Sequence, residues 1–286
     1  TKDIQSGETI TKGHITVKAP GKGLKPIYKN ELIGLKSIRK IKKYDFFYES
    51  DLRAPLHHKT KNFAFPCNWG LPVRFHDCAE LLKNSDPDLL EFHLSFQDLR
   101  ITVGDFFSKK FDQNLVVHCP ELFENDHLLD LMSLDDEYRN HSINEVKRVI
   151  NFTLELMNFF PKSHRPLIVM NMGGFSLDAE LNTDELEKKS AILAKSMDEI
   201  SDSAVEILPQ TMPPYPWHFG GQRFHNFFVD PQQIVEFCRA FESRICLDVS
   251  HSLLACNTFG WDFKQFLNSC APYTAHYHIA DASGLD

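Results

Sequence analysis

The sequence predicts an α/β chain in which a small β-rich module precedes a (β/α)8 barrel that runs out after its seventh strand. Three observations carry this expectation. Past residue 62, short apolar runs alternate with segments whose apolar residues recur at three and four, the spacing of amphipathic helices. No Gly-rich phosphate turn follows the first of those runs, as a doubly wound sheet would more often show. Before residue 62 the apolar runs are too short for helices and are broken by Gly, Pro and Lys.

The bulk numbers agree with a folded, water-soluble chain. With 286 residues and 42% hydrophobic content it can bury a substantial core. No stretch is long and apolar enough to span a bilayer, and the first residues lack the pattern of a signal peptide, so no membrane is expected. Seven cysteines without a CxxC pair argue against a disulfide framework or a zinc ribbon and fit a reducing cytoplasm. The net charge of -8 is unevenly spread. Residues 1–62 hold 14 Lys or Arg against 6 Asp or Glu, and the remainder holds 17 against 33. Such a step suggests two domains with different tasks. The lysines are not interleaved with aromatics, so a solvated basic face is expected and nucleic acid is not.

In chain order, residues 1–50 form the module, 51–61 a linker and 62–286 the barrel. The strand runs are FAFPC at 63–67, LLEFHLS at 89–95, NLVVHCP at 114–120, PLIVMNM at 166–172, AVEILPQ at 204–210, RICLDVSH at 244–251 and TAHYHIADA at 274–282. Helical patterns lie between them, as in INEVKRVINFTLELMNFF, DELEKKSAILAKSMDEI and PQQIVEFCRAF. An eighth strand is needed to close a barrel, so the chain is expected to be a piece of a longer polypeptide, or to borrow an edge from a neighbour.

Barrel chemistry gathers at the C-terminal ends of strands, which singles out polar residues inside the apolar runs. Glu206 lies in AVEILPQ, where an unpaired carboxylate would be costly; it is either a simple strand-edge group or a metal ligand and catalytic acid or base. Asp248 and His251, in LDVSH, combine an oxygen and an imidazole suited to a divalent ion and a substrate contact, although Asp248 could equally cap the next helix. His276 and His278 are two apart and share a strand face. They read either as satisfied core histidines or as site residues, with Asp281 a partner that could fix a tautomer. His118 in VVHCP and His93 beside Glu91 could line the same mouth. Trp217, in the aromatic loop from Pro213 to Phe228, could wall a sugar site, as could Trp69; a packed surface loop is the other reading.

VEILPQ, LDVSH and HIAD, in that order and spacing, resemble the xylose-isomerase-like TIM barrels, which include sugar isomerases, sugar epimerases and endonuclease IV. The resemblance implies a divalent metal, with Mn, Mg, Co and Zn all compatible, held by Glu206, Asp248 and His278. It implies His251 facing the substrate, and a fourth ligand, on the eighth strand, with no counterpart here. The run ITKGHITVKAPGKGLKPIYKNELIGLK resembles the SAF, or antifreeze-like β-clip, domain of sialic acid synthases. In that family a segment of the type KRPG presents a basic residue to an amino sugar, whereas this chain reads Lys18, Ala19, Pro20, Gly21.

Together the two resemblances imply the C-terminal part of a multidomain protein related to sialic acid synthase. The expected activity is metal-dependent isomerisation or epimerisation of a sugar or sugar phosphate of a nonulosonic acid pathway, with Glu206 as ligand and candidate base and with His118, His251, His276 and Trp217 on the substrate. The rival is a non-catalytic sugar-binding appendage of the synthase. Phosphodiester hydrolysis ranks last, because Asn171 stands where a His is implied and an acidic barrel repels a DNA backbone. A homo-oligomer, or association with a synthase domain, is expected.

Overall fold

The structure, a computed structural model, describes residues 2–18, 23–52, 65–177, 179–218 and 221–280, without the side chains of 49, 217, 218, 221 and 222. The chain divides into two compact units, Thr1–Ala64 and Phe65–Asp286. In the first, Ile4, Ile10, Leu32 and Ile41 are fully buried, with Ile15, Leu24, Leu35, Phe47 and Leu52 packed on them. Among the described residues its β pairing consists of two isolated antiparallel bridges, Ile4 with Ile41 and Thr9 with Lys36. Short helical turns lie at Lys12–His14, Pro26–Tyr28, α1 (Lys29–Leu32) and Glu49–Leu52. Runs of so few apolar residues supply single contacts rather than ladders. Asp51, its side chain only 1% exposed, receives both Arg39 Nε at 2.9 Å and Nη2 at 2.8 Å and so fixes the end of the unit. Asp51 and Leu52 belong to this last turn, and the remainder of the expected linker lies outside the described residues.

The second unit is a parallel barrel wall. Strands β1 (Gly70–Val73), β2 (Leu89–His93), β3 (Asn114–His118), β4 (Leu167–Met170) and β5 (Glu206–Pro209) form one sheet in sequence order. Strands β6 (Ile245–Asp248) and β7 (Thr274–His278) form a parallel pair. A single parallel bridge, Gln210 with Cys246, joins the two sheets. Six of the seven strands fall inside the runs read from the sequence. The first does not, because Phe65 is 52% exposed, while Val73 is buried and the strand pairs with Leu89–Phe92. At Gly70 a Cβ would collide with Leu89, so only glycine starts this strand there.

Alternation sorts each strand into an outer and an inner face. Leu90, Phe92, Leu115, Val117, Ile168, Met170, Ile245 and Leu247 pack in the core toward the helices. Val116, Val169, Leu208 and Cys246 make a separate small core inside the barrel. The helices carry their own start signals. Asp135 caps α2 (Asp136–Met157), an Asn182–Glu185 capping box starts α3 (Thr183–Ile200), and Asp230 with Pro231 starts α4 (Pro231–Ala240). Among the described residues no helix is long and apolar enough to cross a membrane. All seven cysteines are free, six of them buried.

Candidate metal centre at the barrel mouth

The inner-face positions nearest the C-terminal strand ends are Glu91 and His93 on β2, His118 on β3, Gln210 just past β5, Asp248 on β6, and His276 and His278 on β7. Register explains their meeting. His93 lies beside His118, Gln210 beside Cys246 and Asp248 beside His278 across neighbouring strands. Glu91, 4% exposed, is the hub. His276 Nε2 lies 2.7 Å from its carboxylate, His278 Nε2 2.9 Å and His93 Nε2 3.0 Å. The rings of His93 and His118 stack with centroids 4.6 Å apart, and His118 and His278 are near-parallel at 5.7 Å.

Gln210 links the remaining groups. Its Oε1 lies 3.0 Å from His118 Nε2, while its Nε2 donates to Asp248 Oδ2 at 3.0 Å and lies 3.1 Å from His278 Nδ1. Asp248 divides its work, Oδ1 capping α5 (Val249–Phe259) through the His251 N–H at 2.9 Å while Oδ2 faces Gln210. His251 donates from Nδ1 to Thr211 O at 2.9 Å, which leaves Nε2 as its accepting atom.

These contacts set the charges. Burial alone would raise the Glu91 carboxyl, but hydrogen bonds from His276, His278 and His93 hold it well below the usual carboxylate range. Asp248 likewise lies below that range, the His278 contact overriding burial. His278 runs the other way: against burial, Asp248, Cys246 and Glu91 push it up to about 12. Burial and the neighbouring His93 lower His118 to about 4, so it is neutral near pH 7.

Glu91, His118 and His278 each offer a ligand atom, all within 4.8 Å of one another. A carboxylate and two imidazoles form a donor set that suits a divalent ion, whose binding would displace the proton that Asp248 and Glu91 hold on His278. Neutral His118 donates from Nδ1 to Cys119 O at 3.0 Å, the backbone contact that commonly fixes a ligating imidazole. Its Nε2, 3.0 Å from the Gln210 amide, is then the ring atom left to ligate.

Of the residues expected at the site, His118, Asp248, His276 and His278 come together, and His251 lies beside Asp248, its Nδ1 3.5 Å from Oδ2. Glu206 does not. It is the first residue of β5, not its end, and faces Arg244, with Nε at 2.7 Å and Nη2 at 2.6 Å, and Arg165 at 3.6 Å. Two arginines satisfy that carboxylate at the opposite rim, which corrects its assignment as ligand and base. The backbone of Trp217 lies in a two-residue hairpin with Gly221–Gln222, and its side chain, like Asp281 and Ala19, lies outside what is described. Glu91 and Gln210 were missed. Both carried the signal used for Glu206, a polar residue inside an apolar strand run, and both stand nearer a strand's C-terminal end.

An open parallel wall with imidazoles and carboxylates gathered at its C-terminal ends defines a (β/α) barrel with a polar, metal-competent mouth. Residues 77–286 match the family described as Xylose isomerase-like TIM barrel, and the chain belongs to that family. Residues 1–53 match the SAF domain. Among solved structures, a D-tagatose 3-epimerase-like protein has 18% identity and a TM-score of 0.51, covering 77% of this chain and 78% of that one. An L-ribulose 3-epimerase has 16% identity and a TM-score of 0.51, covering 75% and 70%. A xylose isomerase domain protein from Planctomyces limnophilus has 12% identity and a TM-score of 0.50, covering 75% and 74%. At these identities the likeness is one of fold. No curated protein sequence matches the chain.

Proposed function

We propose that the barrel is a metal-dependent sugar isomerase or epimerase. The observation that carries this reading is the Glu91, His118 and His278 group at the strand ends of a barrel in this family. Those three side chains would hold the ion, and when bound it supplies polarisation of a sugar carbonyl and its adjacent hydroxyl. The surrounding residues do the rest. Asp248 and Gln210 orient His278, and His93 stacks on His118. His251 presents Nε2 as a proton acceptor, its ring fixed by the Thr211 carbonyl. The SAF match is the support for placing this chemistry in a sialic or nonulosonic acid setting, alongside a synthase domain, and the free thiols suit a reducing cytoplasm.

One observation favours a second reading, a sugar-binding appendage. Glu91 and Asp248 are both held well below the usual carboxylate range, and Gln210, which donates to Asp248, is a neutral amide. Metal analysis of the purified chain and its His118→Ala and His278→Ala variants separates the cases, together with an assay of ketose and aldose interconversion. Stoichiometric metal lost in both variants, with turnover in the parent, is the expected result. Metal without turnover on any sugar or sugar phosphate leaves the appendage, and an absence of metal overturns the metal-dependent reading.

A further inference from the structure

The first unit carries a cleft that the barrel chemistry leaves unused. Its volume is about 120 Å³. Its floor is apolar, formed by Ile4, Leu32 and Ile41 of the buried core. Its lining also includes five lysines, Lys2, Lys18, Lys25, Lys29 and Lys42, against one carboxylate, Asp45. That carboxylate already accepts the Lys42 backbone N–H at 3.0 Å. Among the described residues the lysine ion pairs involve Lys83, Lys162 and Lys189, none of them in the cleft.

Like charges gathered around a concave apolar floor repel one another, and a bound anion relieves that repulsion. Tyr44 stands at the edge with φ 75°, a left-handed backbone that a non-glycine residue adopts at some cost. Its ring is 4.1 Å from Lys18 Nζ, and the residue remains 62% exposed. Ammonium groups act as adjustable point charges suited to phosphate. The volume admits a phosphate with a few attached atoms but no helix or strand. The exposed Tyr44 ring offers a face to whatever the phosphate carries.

We propose that this cleft binds the phosphate group of a small phosphorylated metabolite. The inference is independent of the barrel's reading. The full chain is titrated calorimetrically with inorganic pyrophosphate in the presence of EDTA, so that no barrel metal can recruit the probe. One saturable site per chain is expected, weakened at least about tenfold in the Lys25→Gln/Lys29→Gln double variant. It is unchanged in Lys109→Gln/Lys110→Gln, an equal charge change on exposed barrel residues. Should the first double variant fail to fold by circular dichroism, Lys2→Gln/Lys42→Gln gives the same comparison. D-Glucose 6-phosphate competes and D-glucose does not. Absence of saturable binding, or equal weakening in the barrel control, overturns the proposal. So does displacement by a heparin oligosaccharide without competition from glucose 6-phosphate, which would reassign the cleft to a macromolecular polyanion.

Discussion

Gln210 occupies the centre of the mouth with an uncharged amide that touches His118, Asp248 and His278 at once. Replacing it by Glu adds a third carboxylate where the ligand atoms converge. Divalent-ion affinity, read by competition with a chromogenic chelator, is expected to rise about tenfold or more, because added ligand charge tightens oxygen-rich sites. Elsewhere, His127 is 8% exposed and hydrogen bonds Ser142 Oγ at 2.9 Å. Burial, then the neighbouring His141, lowers it from 6.5 to about 4. The unfolded chain therefore binds more protons between those values, and this contribution to stability is full above pH 6.5 and is lost as pH falls toward 4. Denaturant midpoints of the metal-free protein should fall across that window, and His127→Gln should flatten the decline. Glu91 was legible from the sequence in principle, since LLEFH places a carboxylate in an apolar run just as AVEILPQ does. What one sequence could not supply was which end of the strand each occupies.

At the scale of the strand, two-residue periodicity puts Glu206, Leu208 and Gln210 on one face, but Glu206 and Gln210 lie about 13 Å apart along it. A carboxylate at the start of β5 meets Arg244 before β6 and Arg165 before β4, residues that follow turns at the other rim. Glu206→Ala should cost about 1 kcal/mol, a figure reduced because Arg244 is half exposed. It should leave metal content unchanged; metal lost along with stability would restore Glu206 to the site. The same periodicity made the pairing of His276 and His278 readable, and both reach Glu91. It could not place β1, because GLPV is short and carries a proline, whereas the aromatic FAFPC has the stronger strand signal in isolation. Pairing with Leu89–Phe92 decides the matter, and pairing is a tertiary fact.

For the whole molecule, the composition step at residue 62 and the alternation beyond it carried the broad plan, whereas the first unit's bridges and turns were beyond propensity reasoning. The parallel wall is not one continuous ladder. Between β5 and β6 it narrows to a single bridge at Gln210 and Cys246, and the candidate ligands lie on both sides of that seam, Glu91 and His118 with the larger sheet and His278 with the smaller. An ion held by all three therefore acts as a rivet, and its binding free energy becomes resistance of the seam to opening, about 2.7 kcal/mol when free ion exceeds its dissociation constant a hundredfold. Chelation should accordingly hasten amide hydrogen exchange in β6 and β7 more than in β2 and β3. A thinly stitched line and the most reactive corner would then be the same place, and the supply of metal would govern how firmly the wall holds together there.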